Sequence, residues 1–158
     1  MSRNRPGNLP AVSNFDAHPL LCDGVDPDLQ IGYNPGKGPW REDDLNPGEV
    51  ARIAIEVASE KQAEDIIMLD IRQLTDFADY FVIMSAESRR QLEALREDIV
   101  KALKDSGVSL HHSEGTAQAG WILLDYSDVI IHLFGTEERA YYRLDQLWSG
   151  AAQVVRIL

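Results

Sequence analysis

The stretch "GWILLDYSDVIIHLF", Gly120 to Phe134, limits what this chain can fold into more than any other. Two apolar arms flank a short Asp-Tyr-Ser-Asp, which reads as a β-hairpin. Side chains alternate along a strand. Any even loop therefore puts Ile122, Leu124, Val129, Ile131 and Leu133 on one face. That face is wholly apolar and belongs to a core. Trp121, Leu123, Asp125, Ile130, His132 and Phe134 share the other. A turn at Tyr126-Ser127 sets Asp125 against Asp128, Leu123 against Ile130 and Trp121 against His132. A turn at Ser127-Asp128 changes these partners but not the faces. Two opposed carboxylates repel by about 1 kcal/mol at ~4 Å in water. A solvated turn tolerates that, since Asp is a common turn residue. A site for a cationic partner presents the same arrangement.

The rest of the chain divides unequally. Residues 1 to 46 hold six of the seven prolines and five of the eleven glycines, and "GYNPGKGPW" has no sustained periodicity. This reads as an extended or disordered N-terminal arm, with Trp40 as a candidate anchor. Residues 47–158 read as one domain. Asn46, Pro47 and Glu49 have the spacing of a capping box, and Val50, Ile53, Ala54 and Val57 follow as a helical stripe. Asp65 to Ile71 and Asp79 to Ser85 are short apolar runs suited to buried strands. Ser88 and Gln91 begin a second helix with the stripe Leu92, Leu95, Ile99 and Leu103, and Gly107 suits its C-terminal end. Val108 to Glu114 predicts a polar strand near an edge. After the hairpin, Thr136 is placed to cap a third helix. Two acids lie in its first turn, and Ala140, Tyr141, Leu144 and Leu147 or Trp148 form its stripe. "QVVRIL" supplies a short final strand. The fold class is α/β (α+β): a mixed β-sheet of about five strands flanked by helices.

Twenty-six acids against fifteen bases give a net charge of −11. Such a surface repels phosphate, which disfavours free nucleic acid as a partner and favours a basic protein. No run approaches the ~18 apolar residues of a membrane span, and the N-terminus lacks the apolar centre of a signal peptide. Cys22 is the lone cysteine, in keeping with a reducing compartment such as the cytoplasm. Arg3 and Arg5, in an acid-free opening, keep organelle import as a minor alternative.

Catalytic signatures are sparse. Neither a Gly-x-Gly-x-x-Gly nor a Walker-type Gly-Lys-Ser/Thr is present. Ser85 and Ser88, at a strand-to-helix junction, suit helix capping better than anion binding. His111 and His112 are adjacent and so point to opposite faces of a strand. Glu114 and His132 lack metal-ligand spacing. In "DIR", Arg72 stands where a two-metal enzyme needs a second carboxylate after Asp70. No catalytic residue, cofactor or metal is expected.

Five segments in this order resemble one known family: "LDI" (Leu69 to Ile71), "DYFVIMSAESRRQLEAL" (Asp79 to Leu95), "EG" (Glu114, Gly115), "WILLDYSDVIIHLF" (Trp121 to Phe134) and "RAYYRLDQLW" (Arg139 to Trp148). They are similar to the ribosome silencing factors (RsfS, Iojap or YbeB-like), over about residues 48 to 158. The resemblance implies a nucleotidyltransferase-like fold without its catalytic residues. It implies a translational repressor that binds large-subunit ribosomal protein fourteen on the 50S-type subunit. Binding there blocks small-subunit joining under nutrient limitation, and the free protein is a homodimer. It places Trp121, Asp125, Tyr126, Asp128 and His132 as partner-binding residues. Trp121 and Tyr126 would anchor, the two acids would attract, and His132 would support the indole from beneath. A nucleotidyltransferase-like enzyme and a large-subunit assembly factor are the alternatives. Ala86 and Ser127 stand where the family commonly has glycine.

Overall fold

The structure, a computed structural model, describes residues 45–158. Cys22, Trp40 and all of the arm before Leu45 lie outside the described residues.

Helix α1 (Pro47–Glu60) begins with the expected capping box. Asn46 Oδ1 accepts from the Glu49 amide, and Glu49 Oε2 accepts from the Asn46 amide, both at 3.0 Å. Its buried stripe is turned from the expected one. Val50, Ala51, Ala54, Ile55 and Ala58 are buried, while Ile53 and Val57 are only partly so. The small alanines let the helix lie close to the sheet.

Strands β1 (Glu64–Asp70) and β2 (Tyr80–Ala86) follow, then helix α2 (Arg89–Asp105). Ser88 Oγ accepts from the Gln91 amide at 3.1 Å. Gln91 does not return the bond to Ser88. Its Oε1 accepts from the Glu87 amide, and its Nε2 donates to the carbonyls of Lys61 and Gln62 at the end of α1. One side chain thus ties two helix ends together.

Strand β3 (His112–Thr116) starts later than Val108 and is wholly exposed. Val108 and Leu110 instead pack from a loop against the core. Gly115 is required here. Its φ is +80°, and a Cβ would lie 2.0 Å from the Trp121 carbonyl oxygen. Strands β4 (Trp121–Asp125) and β5 (Val129–Gly135) form the hairpin.

Six strands result, in the order β3-β4-β5-β2-β1-β6, with β6 spanning Ala152–Ile157. Neighbours are antiparallel except β2 and β5, whose parallel pairing is reached through α2 and the β3–β4 hairpin. Tyr80 to Ala86 is buried on both faces, as befits a central strand. One face packs on α1 and α2, and Ile122, Leu124, Val129, Ile131 and Leu133 all lie in that core as expected. The opposite face carries a second cluster of Ile67, Leu69, Ile71, Phe81, Ile83 and Phe134.

The third helix departs from expectation. It breaks into α3 (Thr136–Tyr142) and α4 (Leu144–Leu147), joined by Arg143 with φ +45°. Gly135, not Thr136, is the N-cap. Arg139 is buried, whereas Ala140, Tyr141 and Leu147 are exposed. Leu144 and Trp148 do pack inward, on the second cluster.

Candidate functional site

The hairpin takes the register with Ser127 and Asp128 as its loop. Trp121 pairs with Phe134, Leu123 with His132 and Asp125 with Ile130, so Asp125 and Asp128 do not oppose each other. Local chemistry selects this turn. Asp125 Oδ1 accepts from the Ser127 amide at 2.7 Å. The Asp128 amide bonds to the Tyr126 carbonyl over Ser127, whose φ is +68°. The Asp128 carbonyl in turn accepts from the amides of Asp79 and Tyr80, anchoring the tip to β2.

On the mixed face, Trp121 stacks on Phe134 with centroids 4.9 Å apart and meets Tyr142 of α3 at 4.6 Å. Its Nε1 donates to His132 Nδ1 at 3.3 Å. His132 is 5% exposed and also meets Phe81 edge-on at 5.0 Å. Burial pushes its pKa down to about 4. The imidazole is therefore neutral, a support for the indole rather than a charged contact. Trp121, Asp125 and Asp128 are half-buried and reach solvent.

Tyr126 lies elsewhere. It is 7% exposed, inside the helix-side core, and burial pushes its phenol up to about 12. Four of the five expected residues thus gather at the hairpin's mixed face and tip, and the Tyr126 ring points into the core. The parity of β4 carries that signal, since position 126 continues the set 122, 124.

Other groups leave no such signal in the sequence. Phe81 joins the mixed face from β2, and Phe77, 55% exposed, meets it at 6.0 Å. Arg139, 8% exposed, donates to Asp65 Oδ2 at 3.0 Å and Ser85 Oγ at 3.3 Å, and its Nε lies 3.7 Å from Asp145. Asp65 also accepts from Arg156 of β6 at 3.0 Å. This network fastens α3 and β6 to the start of β1. Burial lowers the Arg139 pKa, against the pull of Asp65 and Asp145.

The remaining candidates are structural. Ser88 caps α2, Ser85 is buried against Arg139, and His112 Nε2 lies 3.0 Å from Glu114 on the exposed edge. Arg72, just past the end of β1, donates to Asp70 through Nε and Nη2, so a cation rather than a second carboxylate stands beside Asp70. Among the described residues, no group of three or more His, Cys, Asp or Glu is arranged to hold a metal ion. No helix among them is long and apolar enough to cross a membrane.

Comparison with known proteins agrees with this architecture. The family model described as "Ribosomal silencing factor during starvation" matches residues 44–157. The ribosomal silencing factor of Bacillus subtilis is 36% identical over 107 residues, covering 68% of this chain and 91% of that protein. A mouse protein named "Mitochondrial assembly of ribosomal large subunit protein 1" is 28% identical over 151 residues, covering 84% of this chain and 64% of that one. A crystal structure of a protein from Chromobacterium violaceum superposes with a TM-score of 0.64 at 31% identity, covering 72% of this chain and 94% of that one. The family match spans well over half of the residues, and the chain belongs to the ribosomal silencing factor family.

Proposed function

We propose that this protein binds the large ribosomal subunit through its ribosomal protein fourteen and sterically blocks joining of the small subunit, repressing translation when nutrients are limiting. The observation that carries this is the hairpin of an acidic chain: a half-exposed Trp121 braced by His132 and Phe134, with Asp125 and Asp128 at the tip. A buried aromatic anchor supplies affinity, while rim carboxylates steer a basic partner and set the on-rate. The body of the domain then occupies volume that the small subunit needs. No chemical step is involved. The free protein is a homodimer and acts in the cytoplasm in this reading, and residues 1–46 form an arm outside the binding domain.

Co-sedimentation with purified large subunits tests it. The wild type should pellet with them and reduce formation of joined ribosomes. Trp121→Ala should fold, as seen by circular dichroism, yet bind at least tenfold more weakly. Normal binding by that variant sinks the anchor assignment.

The name of the mouse relative favours a second reading, a role in large-subunit assembly in an organelle. Adding the protein to mature subunits separates the two, since an assembly factor leaves their joining unchanged. A nucleotidyl-transferring enzyme would release pyrophosphate from nucleoside triphosphates and Mg²⁺. The engagement of Asp70 by Arg72 argues against that chemistry.

A further inference from the structure

The longest run without an acid in this chain is its opening, Met1 to Phe15. It carries Arg3 and Arg5, followed by Leu9, Val12 and Phe15. Residues 16–44 hold seven acids against Lys37 and Arg41. Cations and apolar side chains are thus gathered at the far end of the arm. The ribosome-binding reading gives them no role. A basic, apolar segment on a chain of net charge −11 is drawn to the acids of its own domain.

The domain presents a complementary surface. Phe77, Tyr141 and Leu147 are 55%, 79% and 77% exposed. Phe77 meets Trp148 at 6.2 Å, Trp148 meets Phe81 at 5.1 Å, and Tyr141 joins Trp121 through Tyr142. These groups border the second cluster, on the sheet face away from α1 and α2. Acids flank them: Asp76 is exposed beside Phe77, Glu137 is exposed one turn before Tyr141, and Asp125 sits on the same sheet face as Trp121. Of the two arginines on α3 and its junction with α4, Arg139 is buried against Asp65 and Asp145, leaving Arg143 as the exposed cation. A second copy of the chain would bring acids against acids here.

The opening can reach this surface. Only residues 61–63 join α1 to β1, so the two run antiparallel and Leu45 lies at the end of the sheet where β1 finishes. The β1–β2 loop with Phe77 starts there. The hairpin tip is held at the same end, since the Asp128 carbonyl accepts from the Asp79 and Tyr80 amides. Thirty positions separate Phe15 from Leu45. They span up to about 100 Å when extended, whereas the sheet is about 24 Å wide. Closing so long a loop costs little more than closing a shorter one.

We propose that Met1–Phe15 is an intramolecular cover for this face. Leu9 and Phe15 pack on the exposed apolar groups, Arg3 and Arg5 meet the flanking acids, and the segment competes with the ribosomal partner for Trp121 and its surroundings. This rests on the ribosome-binding reading above and gives it a regulator within the same chain. Apparent affinity falls with the uncovered fraction, so a cover closed in about four molecules of five weakens subunit binding about fivefold.

The test uses the full chain and purified large subunits. Leu9→Ala/Phe15→Ala leaves every charge in place, so altered steering cannot explain its effect. It should melt like the wild type yet bind subunits about fivefold tighter. Arg3→Gln/Arg5→Gln should do the same. A peptide of residues 1–15, added to either variant, should return binding to the wild-type level. In amide spectra of the subunit-free protein, both variants should shift Phe77, Tyr141 and Leu147 and leave α2, on the opposite face, unchanged. Wild-type affinity in both variants overturns the proposal while leaving the silencing reading intact. So does weaker binding by the arginine variant, which would make the opening a contact to the subunit. Shifts that depend on protein concentration would place the contact between copies and overturn the intramolecular cover. Failure of the wild type and of both variants to bind subunits overturns the ribosome reading itself, and this proposal with it.

Discussion

Trp121 Nε1 donates to His132 Nδ1 at 3.3 Å, between neighbouring strands of the hairpin. The bond requires an unprotonated Nδ1, so the proton of the neutral ring sits on Nε2. Burial enforces the same state by holding the His132 pKa near 4, below its ordinary 6.5. Between those values the unfolded chain binds the proton and the folded chain does not, so stability rises with pH. The contribution is complete above about pH 6.5 and is lost as pH falls toward about 4. Its ceiling is about 3 kcal/mol, since each tenfold change in proton affinity is worth about 1.4 kcal/mol. Urea unfolding at pH 7 and pH 4.5 should show His132→Phe losing less stability on acidification than the wild type. Equal losses would remove His132 as a source of acid sensitivity.

Arg139 is the charged residue with the most to lose. Its fork holds Asp65 and Ser85 with Asp145 nearby, and only Asp65 has a second cation, Arg156. Arg139→Met should cost about 2–3 kcal/mol, at or below the range for breaking a buried pair, because Asp65 is partly solvated. Arg139→Lys should restore little, since an ammonium cannot reach two acceptors in that planar geometry. Denaturant midpoints of the three proteins decide it. A lysine variant as stable as the wild type would mean that charge alone suffices.

What was legible in the sequence follows from the range of the forces involved. The hairpin faces were readable because strand alternation is local, and both candidate turns kept them. The register was not, because it depends on the Asp125 side chain bonding to the Ser127 amide and on Ser127 entering φ +68°. The capping box at Asn46 was readable for the same local reason. The C-terminal helix misled. Tyr141, Leu144 and Leu147 or Trp148 read as one helical stripe, yet Arg143 at φ +45° resets the phase, and Arg139 turns inward to meet Asp65, 74 positions earlier. Pairing across such a separation leaves no periodic trace.

Gln62 ends α1 in the left-handed region at φ +59°, with its amide bonded to Ser59 and the next amide, of Ala63, to Ala58. This is the hydrogen-bond pattern that glycine usually closes. A non-glycine residue in that region costs about 1–2 kcal/mol, part of which glycine's greater unfolded-state freedom offsets. Gln62→Gly should therefore stabilise the domain by about 0.5–1 kcal/mol. The Gln91 bond to the Gln62 carbonyl involves only backbone at position 62 and survives the change. A lower melting temperature for the variant would contradict this account of the cap.

Asp125→Asn separates charge from geometry at the hairpin tip. Asparagine keeps an Oδ1 that can accept from the Ser127 amide, so the turn should hold and stability should change by less than about 0.5 kcal/mol. What disappears is one carboxylate of the acidic rim. Rim charges act through long-range attraction, which a Debye length of about 8 Å at physiological salt largely screens. The variant should therefore associate with large subunits several-fold more slowly at low ionic strength, with dissociation little altered. Raising the salt should bring the two association rates together. An association rate equal to the wild type's at low salt would show that Asp125 serves the turn alone, and a faster dissociation would place it in the buried centre of the interface.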